Sequence, residues 1–236
     1  SLQSMQPRVT AILVVRRDDR GLDRALAAIS AQTRRVDVLI TVDAAVDTHL
    51  TESLAAAAPA RQVSARGTGM GDVLAPALRA LGPVESRDEW LWLLADDSIP
   101  APDALERMLA AVEIAPSVAV AGPKLVDPDD PGMLRSFGET VSPWGATVPL
   151  VEDELDQAQY DRGPDVLAVQ TAGSVLATAS LLPVRRAVSK RCNASTRSQI
   201  PPEAAGRAVV SGCGRGREWY GFQWMGSENY YCCSPI

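Results

Sequence analysis

An α/β fold, with a doubly wound and mostly parallel sheet, is what this sequence predicts, and three observations predict it. Val9-Thr-Ala-Ile-Leu-Val-Val15 is a continuous apolar run rich in β-branched residues, as a strand covered on both faces requires. Runs of that kind alternate with segments whose apolar residues recur at helical spacing. Acidic or glycine-rich stretches stand directly after several of the strands, and in open α/β sheets that is where ligands bind.

The elements follow in order. After the first strand, Arg16 to Arg20 is a charged loop, and Leu22, Leu26 and Ile29 then mark a helix. Val36 to Val42 reads as a second buried strand ending in Asp43. Leu50 to Ala58 reads as a second helix, and Gln62 to Ala65 as a short third strand. Gly67-Thr-Gly-Met-Gly71 leads into a helix over Asp72 to Leu81. Trp90-Leu-Trp-Leu-Leu94 is a fourth strand, on which Trp90 and Trp92 are expected to divide between the core and the cover of a neighbouring helix. Asp103 to Ile114 is a helix with Leu105, Met108, Leu109 and Val112 inward. Pro102 stands at its start, where a missing N–H does no harm. Val118 to Ala121 is a further strand.

Composition bounds the function. The chain has 236 residues, 46% hydrophobic and 22% charged, which excludes wholesale disorder. Charges interrupt every apolar stretch before it reaches a membrane span. The net charge of -6 argues against a general nucleic-acid coat. A single histidine, His49, excludes a histidine-rich metal site and reads as solvated. No secretory signal is visible, so a cytoplasmic protein with free thiols is expected. Ser1 to Met5 reads as a cloning remnant ahead of a natural start.

Three spots carry the chemistry. Asp96-Asp97-Ser98 directly follows the fourth strand. Adjacent carboxylates repel each other, and a divalent cation turns that repulsion into an advantage. The other reading of the same residues is capping of the turn before Pro100 by Asp97 or Ser98. Asp43 closes the second strand, where it either hydrogen-bonds a base or ribose or caps a loop. Gly67 to Gly71 is either a phosphate cradle around Gly69 or a turn that needs positive φ. No Walker phosphate loop is present.

In combination these segments resemble the family 2 glycosyltransferases, with the nucleotide-diphospho-sugar transferase (GT-A) fold. Leu26-Ala-Ala-Ile-Ser-Ala-Gln-Thr33 is similar to the family's "sl..Qt" helix, and Val38-Leu-Ile-Thr-Val-Asp43-Ala-Ala-Val-Asp47 to its "vvvDngStD" segment. Gly69-Met-Gly-Asp-Val-Leu-Ala75 stands where the family has "N.G.a.A". Trp90 to Leu109 resembles the strand, acidic motif and following helix. Val118 to Lys124 resembles "vg.vgPkl", and Leu167 to Arg186 the stretch ending in "vrR.v". The resemblance covers roughly residues 8 to 188 and implies sugar transfer from a nucleotide-diphosphate donor to a glycan or lipid-linked acceptor. It implies Mg2+ or Mn2+ at Asp97 and Asp96, and nucleotide contacts from Asp43, Asp96, Arg16 and Gly69. The Ala- and Arg-rich style suggests an actinobacterial type, with cell-wall glycan synthesis as the setting and membrane association through the acceptor or a parent protein.

The sequence departs from the family at three places. Ala44 and Ala45 replace the Asn and Gly of "DngS", and Ser98 takes the third acidic position, where it can ligate only weakly. After Val188 nothing resembles the "EDvDl..R" segment that carries the general base. A domain boundary is therefore expected there. The first 188 residues are net -9 and the tail net +3, and the tail holds all four cysteines and six of the eleven aromatics. Its expected status is frame-shifted or non-native. One back-translation of Val188 to Thr196, read two bases later, gives Leu-Glu-Ala-Leu-Gln-Arg-Phe-Asp, similar to the family's "w..lgGFD". Trp219, Tyr220, Phe222 and Trp224 are expected to cover a sheet edge or to pair two chains as a homodimer. The competing expectation is a non-catalytic nucleotide-binding remnant of the same fold.

Overall fold

The computed structural model describes residues 6–16, 21–44, 58–66, 70–86, 88–115, 117–127, 129–142, 147–151, 153–160, 166, 168–181 and 232–234. Its strands are β1 (Arg8–Val15), β2 (Val38–Asp43), β3 (Arg61–Ser64), β4 (Glu89–Ala95), β5 (Ile99–Pro100), β6 (Val120–Ala121), β7 (Lys124–Val126), β8 (Met133–Ser136), β9 (Glu139–Val141), β10 (Thr147–Pro149), β11 (Glu154–Leu155), β12 (Val175–Ala177) and β13 (Cys232–Ser234). Its helices are α1 (Gly21–Ser30), α2 (Met70–Ala80) and α3 (Ala104–Glu113), and a 3-10 turn spans Thr178–Leu181.

The main sheet has the order β3-β2-β1-β4-β12-β6. β1 to β4 run parallel, and β12 enters antiparallel between β4 and β6. The doubly wound, mostly parallel expectation therefore holds, with one reversed strand that no apolar periodicity announced. β1 explains why its run is continuous. Val9, Ala11, Leu13 and Val15 pack with α1 and α3, while Ile12 and Val14 pack with α2, and all six are buried. A strand with a helix layer on each face favours apolar residues on both.

Most boundaries fall within two or three residues of the expected ones. The second strand begins at Val38 rather than Val36, and the strand expected from Val118 is formed only at Val120–Ala121. The helix expected from Asp103 starts one residue later. Asp103 stands at its N-cap without a side-chain capping bond and pairs instead with Arg107 at 2.9 Å. The division of Trp90 and Trp92 between two environments is corrected. Residues two apart on a strand share a face, and both rings lie in the cluster with α1 and α3, Trp92 fully buried. The helix expected over Leu50 to Ala58 lies outside the described residues except for Ala58. Asp47, His49, Gly69 and the aromatics of the tail also lie outside them.

A second sheet has the order β11-β8-β7-β13-β5, and β9 and β10 form a separate hairpin. It encloses a satellite core of Val126, Leu134, Phe137 and Val151, with the Tyr160 ring stacked on Phe137 at 4.9 Å. β13 runs parallel to β5 and antiparallel to β7, so Cys232–Ser234 of the tail joins this sheet. The residues Ser189 to Gly216 of the tail lie outside the described ones. Among the described residues no helix is long and apolar enough to cross a membrane.

Candidate active site

The carboxyl ends of β2, β1 and β4 form one row. Asp43 pairs with Val15, and Val14 pairs with Ala95, so Asp96 comes level with Val15 on the other side. Neighbouring strands lie about 4.8 Å apart, which sets the Asp43 and Asp96 backbones about 10 Å apart across β1. β3 adds Ser64 opposite Asp43. Since α2 follows β3 and packs against it and β2, its N-terminal turn opens at this same end.

Asp96 is buried and Asp97 half-buried. Asp96 is held from both sides of its own chain. Its N–H donates to the Val14 carbonyl at 3.0 Å, and its Oδ2 accepts the Arg16 N–H at 2.8 Å. One carboxylate thus ties the end of β4 to the loop leaving β1. Arg16 is half-buried, and burial holds its guanidinium below the ordinary arginine value while the Asp96 charge works the other way.

Ser98 answers one of the two readings of the acidic turn. Its Oγ accepts the Ala95 N–H at 3.0 Å, and its N–H donates to the Ala95 carbonyl at 3.0 Å, with the side chain fully buried. Ser98 closes the turn. Asp97 is thereby held, half-buried, in the turn between two fixed residues.

The segment after the turn is pinned by a residue that sequence reading passed over as part of a pattern. Gln32 is buried. Its amide N–H donates to the Ala28 and Ala101 carbonyls at 3.1 and 2.7 Å, and its Oε1 accepts the Leu105 N–H at 3.1 Å. Thr33 adds its own N–H to the Pro102 carbonyl at 2.8 Å. The end of α1, the exit of the acidic turn and the first turn of α3 are thus one hydrogen-bonded unit. A polar residue just past a helix's end, followed by Thr, was the available signal, but two of its three partners, Ala101 and Leu105, lie some 70 residues away.

The turn ahead of β12 is a second missed component. Gly173 has φ +78°, and its N–H donates to the Leu93 carbonyl at 2.8 Å. The Leu93 N–H returns to the Ser174 carbonyl at 2.9 Å, and the Trp92 indole N–H reaches the Gly173 carbonyl at 3.0 Å. Glycine is required at that φ, and Ala-Gly-Ser was the only trace of it in the sequence.

The donor set can be weighed against a divalent cation. Asp96 and Asp97 offer hard carboxylate oxygens and neither sulfur nor imidazole. Among the described residues no three His, Cys, Asp or Glu converge. One or two carboxylates with substrate phosphates completing the shell suit Mg2+ or Mn2+, whereas a self-contained metal cage needs more ligands. The residues fit the former.

A family model described as "Glycosyltransferase like family 2" matches residues 7–202, past the composition break at 188. No curated protein sequence matches the chain. Among solved structures, a 4-diphosphocytidyl-2C-methyl-D-erythritol synthase is similar with a TM-score of 0.47 and 14% identity, over 79% of this chain and 81% of that one. A mannosyltransferase from Pyrobaculum calidifontis in complex with GDP-Man and Mn2+ is similar with a TM-score of 0.42 and 22% identity, over 54% of this chain and 38% of that one. Glucosyl-3-phosphoglycerate synthase from Mycobacterium tuberculosis, in complex with Mn2+, UDP and glucosyl-3-phosphoglycerate, follows with a TM-score of 0.39 and 20% identity, over 49% and 43%. The chain spans less than half the length of these two transferases.

Proposed function

The chain belongs to glycosyltransferase-like family 2, and from that premise we propose that it binds a nucleoside-diphosphate sugar at the carboxyl ends of β1, β2 and β4 and transfers the sugar to a glycan or lipid-linked acceptor. The observation that carries this reading is the level row Asp43–Val15–Asp96, with Asp97 in the turn that follows. Its width suits a nucleoside lying across β1, its base or ribose toward Asp43 and its diphosphate toward the acidic pair.

Each residue has a share. Asp43 accepts hydrogen bonds from the base or ribose. Asp97, with Asp96 beside it, would hold Mg2+ or Mn2+, which when bound supplies charge to neutralise the departing diphosphate. Asp96 also fixes the β1 exit through the Arg16 N–H. Arg16, whose charge burial disfavours, gains from an anionic neighbour, which suits a diphosphate. Ser98 and Gln32 keep the turn in place so that no reorganisation is needed as charge develops. Gly69 is proposed as a backbone contact to phosphate at the entry to α2.

A second reading, a nucleotide-binding domain without turnover, is favoured by one specific observation: nothing after Val188 in this sequence resembles the family's base-bearing segment. Thermal unfolding with UDP, GDP or dTDP, each with Mn2+ or with chelator, tests the binding. A ligand at a hundred times its Kd adds about 2.7 kcal/mol, so a Mn2+-dependent rise with one nucleotide is expected, and Asp97→Ala abolishes it. Sugar transfer that Asp97→Ala lowers at least about a hundredfold supports the transferase. Binding without transfer selects the second reading, and no rise with any nucleotide overturns both.

A further inference from the structure

The exit of the acidic turn is fastened on both sides by residues near it in the fold, and in the middle by the far end of the chain. On the near side Ser98 closes onto Ala95. On the far side the Ala101 and Pro102 carbonyls accept hydrogen bonds from Gln32 and Thr33. Between these anchors lie Ile99 and Pro100, the two residues of β5. Their backbone groups need partners of their own, and the proline has no N–H to offer. β5 stands at the edge of the second sheet. Among the described residues, the strand that pairs with it there is β13, with Cys232 level with Ile99 and Cys233 with Pro100.

On its other edge β13 pairs with β7, Cys232 with Val126, Cys233 with Leu125 and Ser234 with Lys124. All of β7 is buried, Lys124 in its pair with Asp156 and Val126 in the satellite core. From β7 the path returns to the main sheet. Leu125 pairs with Ser136 of β8, whose hydroxyl accepts the Gln170 amide N–H at 2.9 Å. A few residues on, the Gly173 N–H donates to the Leu93 carbonyl of β4, and β4 runs into Asp96. The strands close a circuit: β4, the acidic turn, β5, β13, β7, β8 and back to β4. Every other step of it lies between residues 93 and 173, whereas the step from β5 to β7 is made by three residues of the tail. Short elements open locally at little cost, so this is the step at which the circuit is released, and it stands beside the carboxylates.

From this circuit we propose that β13 is a positioning strand: its main chain, paired to β5 and β7 together, holds the acidic turn in the geometry that binds the donor, so that donor binding and the docking of β13 strengthen each other. The proposal rests on the donor-binding reading above. Amide hydrogen exchange of the full chain tests it, with and without Mn2+ and each of UDP, GDP and dTDP. In the wild type, the diphosphate that binds is expected to slow exchange at Cys232–Ser234 at least about fivefold, the lower end of ordinary couplings between sites. Cys233→Pro removes a ladder N–H from a strand paired on both edges. It is expected to speed exchange at Ile99 and across β7 while β1 stays protected. In titration calorimetry with Mn2+ it weakens the diphosphate by that same factor, because the coupling is reciprocal. Cys233→Ser keeps the N–H and binds as the wild type does. Exchange at Cys232–Ser234 that ignores the ligand, a Cys233→Pro chain that binds as tightly as the wild type, or a loss with Cys233→Ser as large as with Cys233→Pro each overturns the proposal while the donor reading stands. The first of these needs no variant, so it decides even where Cys233→Pro does not fold. No binding of any diphosphate by the wild type overturns the donor reading and this proposal together.

Discussion

At the carboxyl ends of the main sheet, aspartates stand on an apolar scaffold, and the one whose contact is clearest, Asp96, meets a backbone N–H. In the second sheet, aspartates meet protein cations. Lys124 Nζ lies 2.6 Å from Asp156, and Arg135 bridges Asp127 and Asp153 at 2.5 Å each. The Asp129 N–H, and Arg135 with it, hold the Asp127 carboxyl below the usual carboxylate range. Burial pushes the Asp156 carboxyl up, but the Lys124 hydrogen bond and charge outweigh it and bring it below its usual value. The same side chain therefore serves two ends. In the second sheet a lysine and an arginine bridge carboxylates and close the fold; at the strand ends Asp96 fixes the β1 exit through the Arg16 N–H.

The strongest way to break this comparison is to remove what the strand-end aspartates stand on. Trp92→Ala deletes a fully buried ring and its bond to Gly173. It is expected to cost about 3–5 kcal/mol in chemical denaturation. Trp92→Phe costs less, and it loosens the turn at Thr171 while the main sheet stays folded.

Next in size is the Lys124–Asp156 pair of the second sheet. Lys124→Met leaves the half-buried Asp156 against an alkyl chain, and a loss of about 1–3 kcal/mol at pH 7 is expected. Without the lysine, burial pushes the Asp156 carboxyl up and only the Ala158 N–H opposes it, so its folded pKa rises from the lowered wild-type value. The loss must then shrink as pH falls and Asp156 takes up a proton. A denaturation series from pH 7 to pH 4 reads this, and the double variant with Asp156→Leu should regain most of the stability. A loss that does not change with pH would mean that packing, not charge, is what Lys124 supplies.

The smallest effect sharpens the comparison at the surface. Asp127 has a lowered folded pKa, so its contribution is full above its unfolded value of about 3.9 and disappears as pH falls through the folded one. Arg135→Gln should lower the melting temperature slightly near pH 6, and the difference from wild type should close below about pH 4. Donor binding near pH 7 is not expected to change, because Arg135 belongs to the other region.

The parts of the fold readable from the chain are those set by local partition. A continuous β-branched run needs cover on both faces, so Val9 to Val15 announced a central strand. Helical spacing at Leu22, Ile29, Leu105 and Leu109 announced the helices on one side of it. Chain order then put Asp43 and Asp96-Asp97 at the carboxyl ends of strands, since residues that follow a parallel strand have nowhere else to be. The short strands of the second sheet gave no such signal. Strands of two to four residues are too short for an alternation to stand out, and β12 of the main sheet is apolar throughout.

Sequence by itself therefore determined the layers of this protein and the carboxylates that stand at the carboxyl ends of its parallel strands. Only the tertiary structure decided what each of those groups is used for. Asp96 meets the Arg16 N–H across 80 residues of chain, and Trp92 meets Gly173 across 81. Ser98 caps the turn through the Ala95 N–H, a partner that its place in the sequence left open. The physical reason is one of range. Burial patterns repeat every two or 3.6 residues and can be read locally, whereas a hydrogen bond needs its partner within about 3 Å, and only the folded chain supplies that partner.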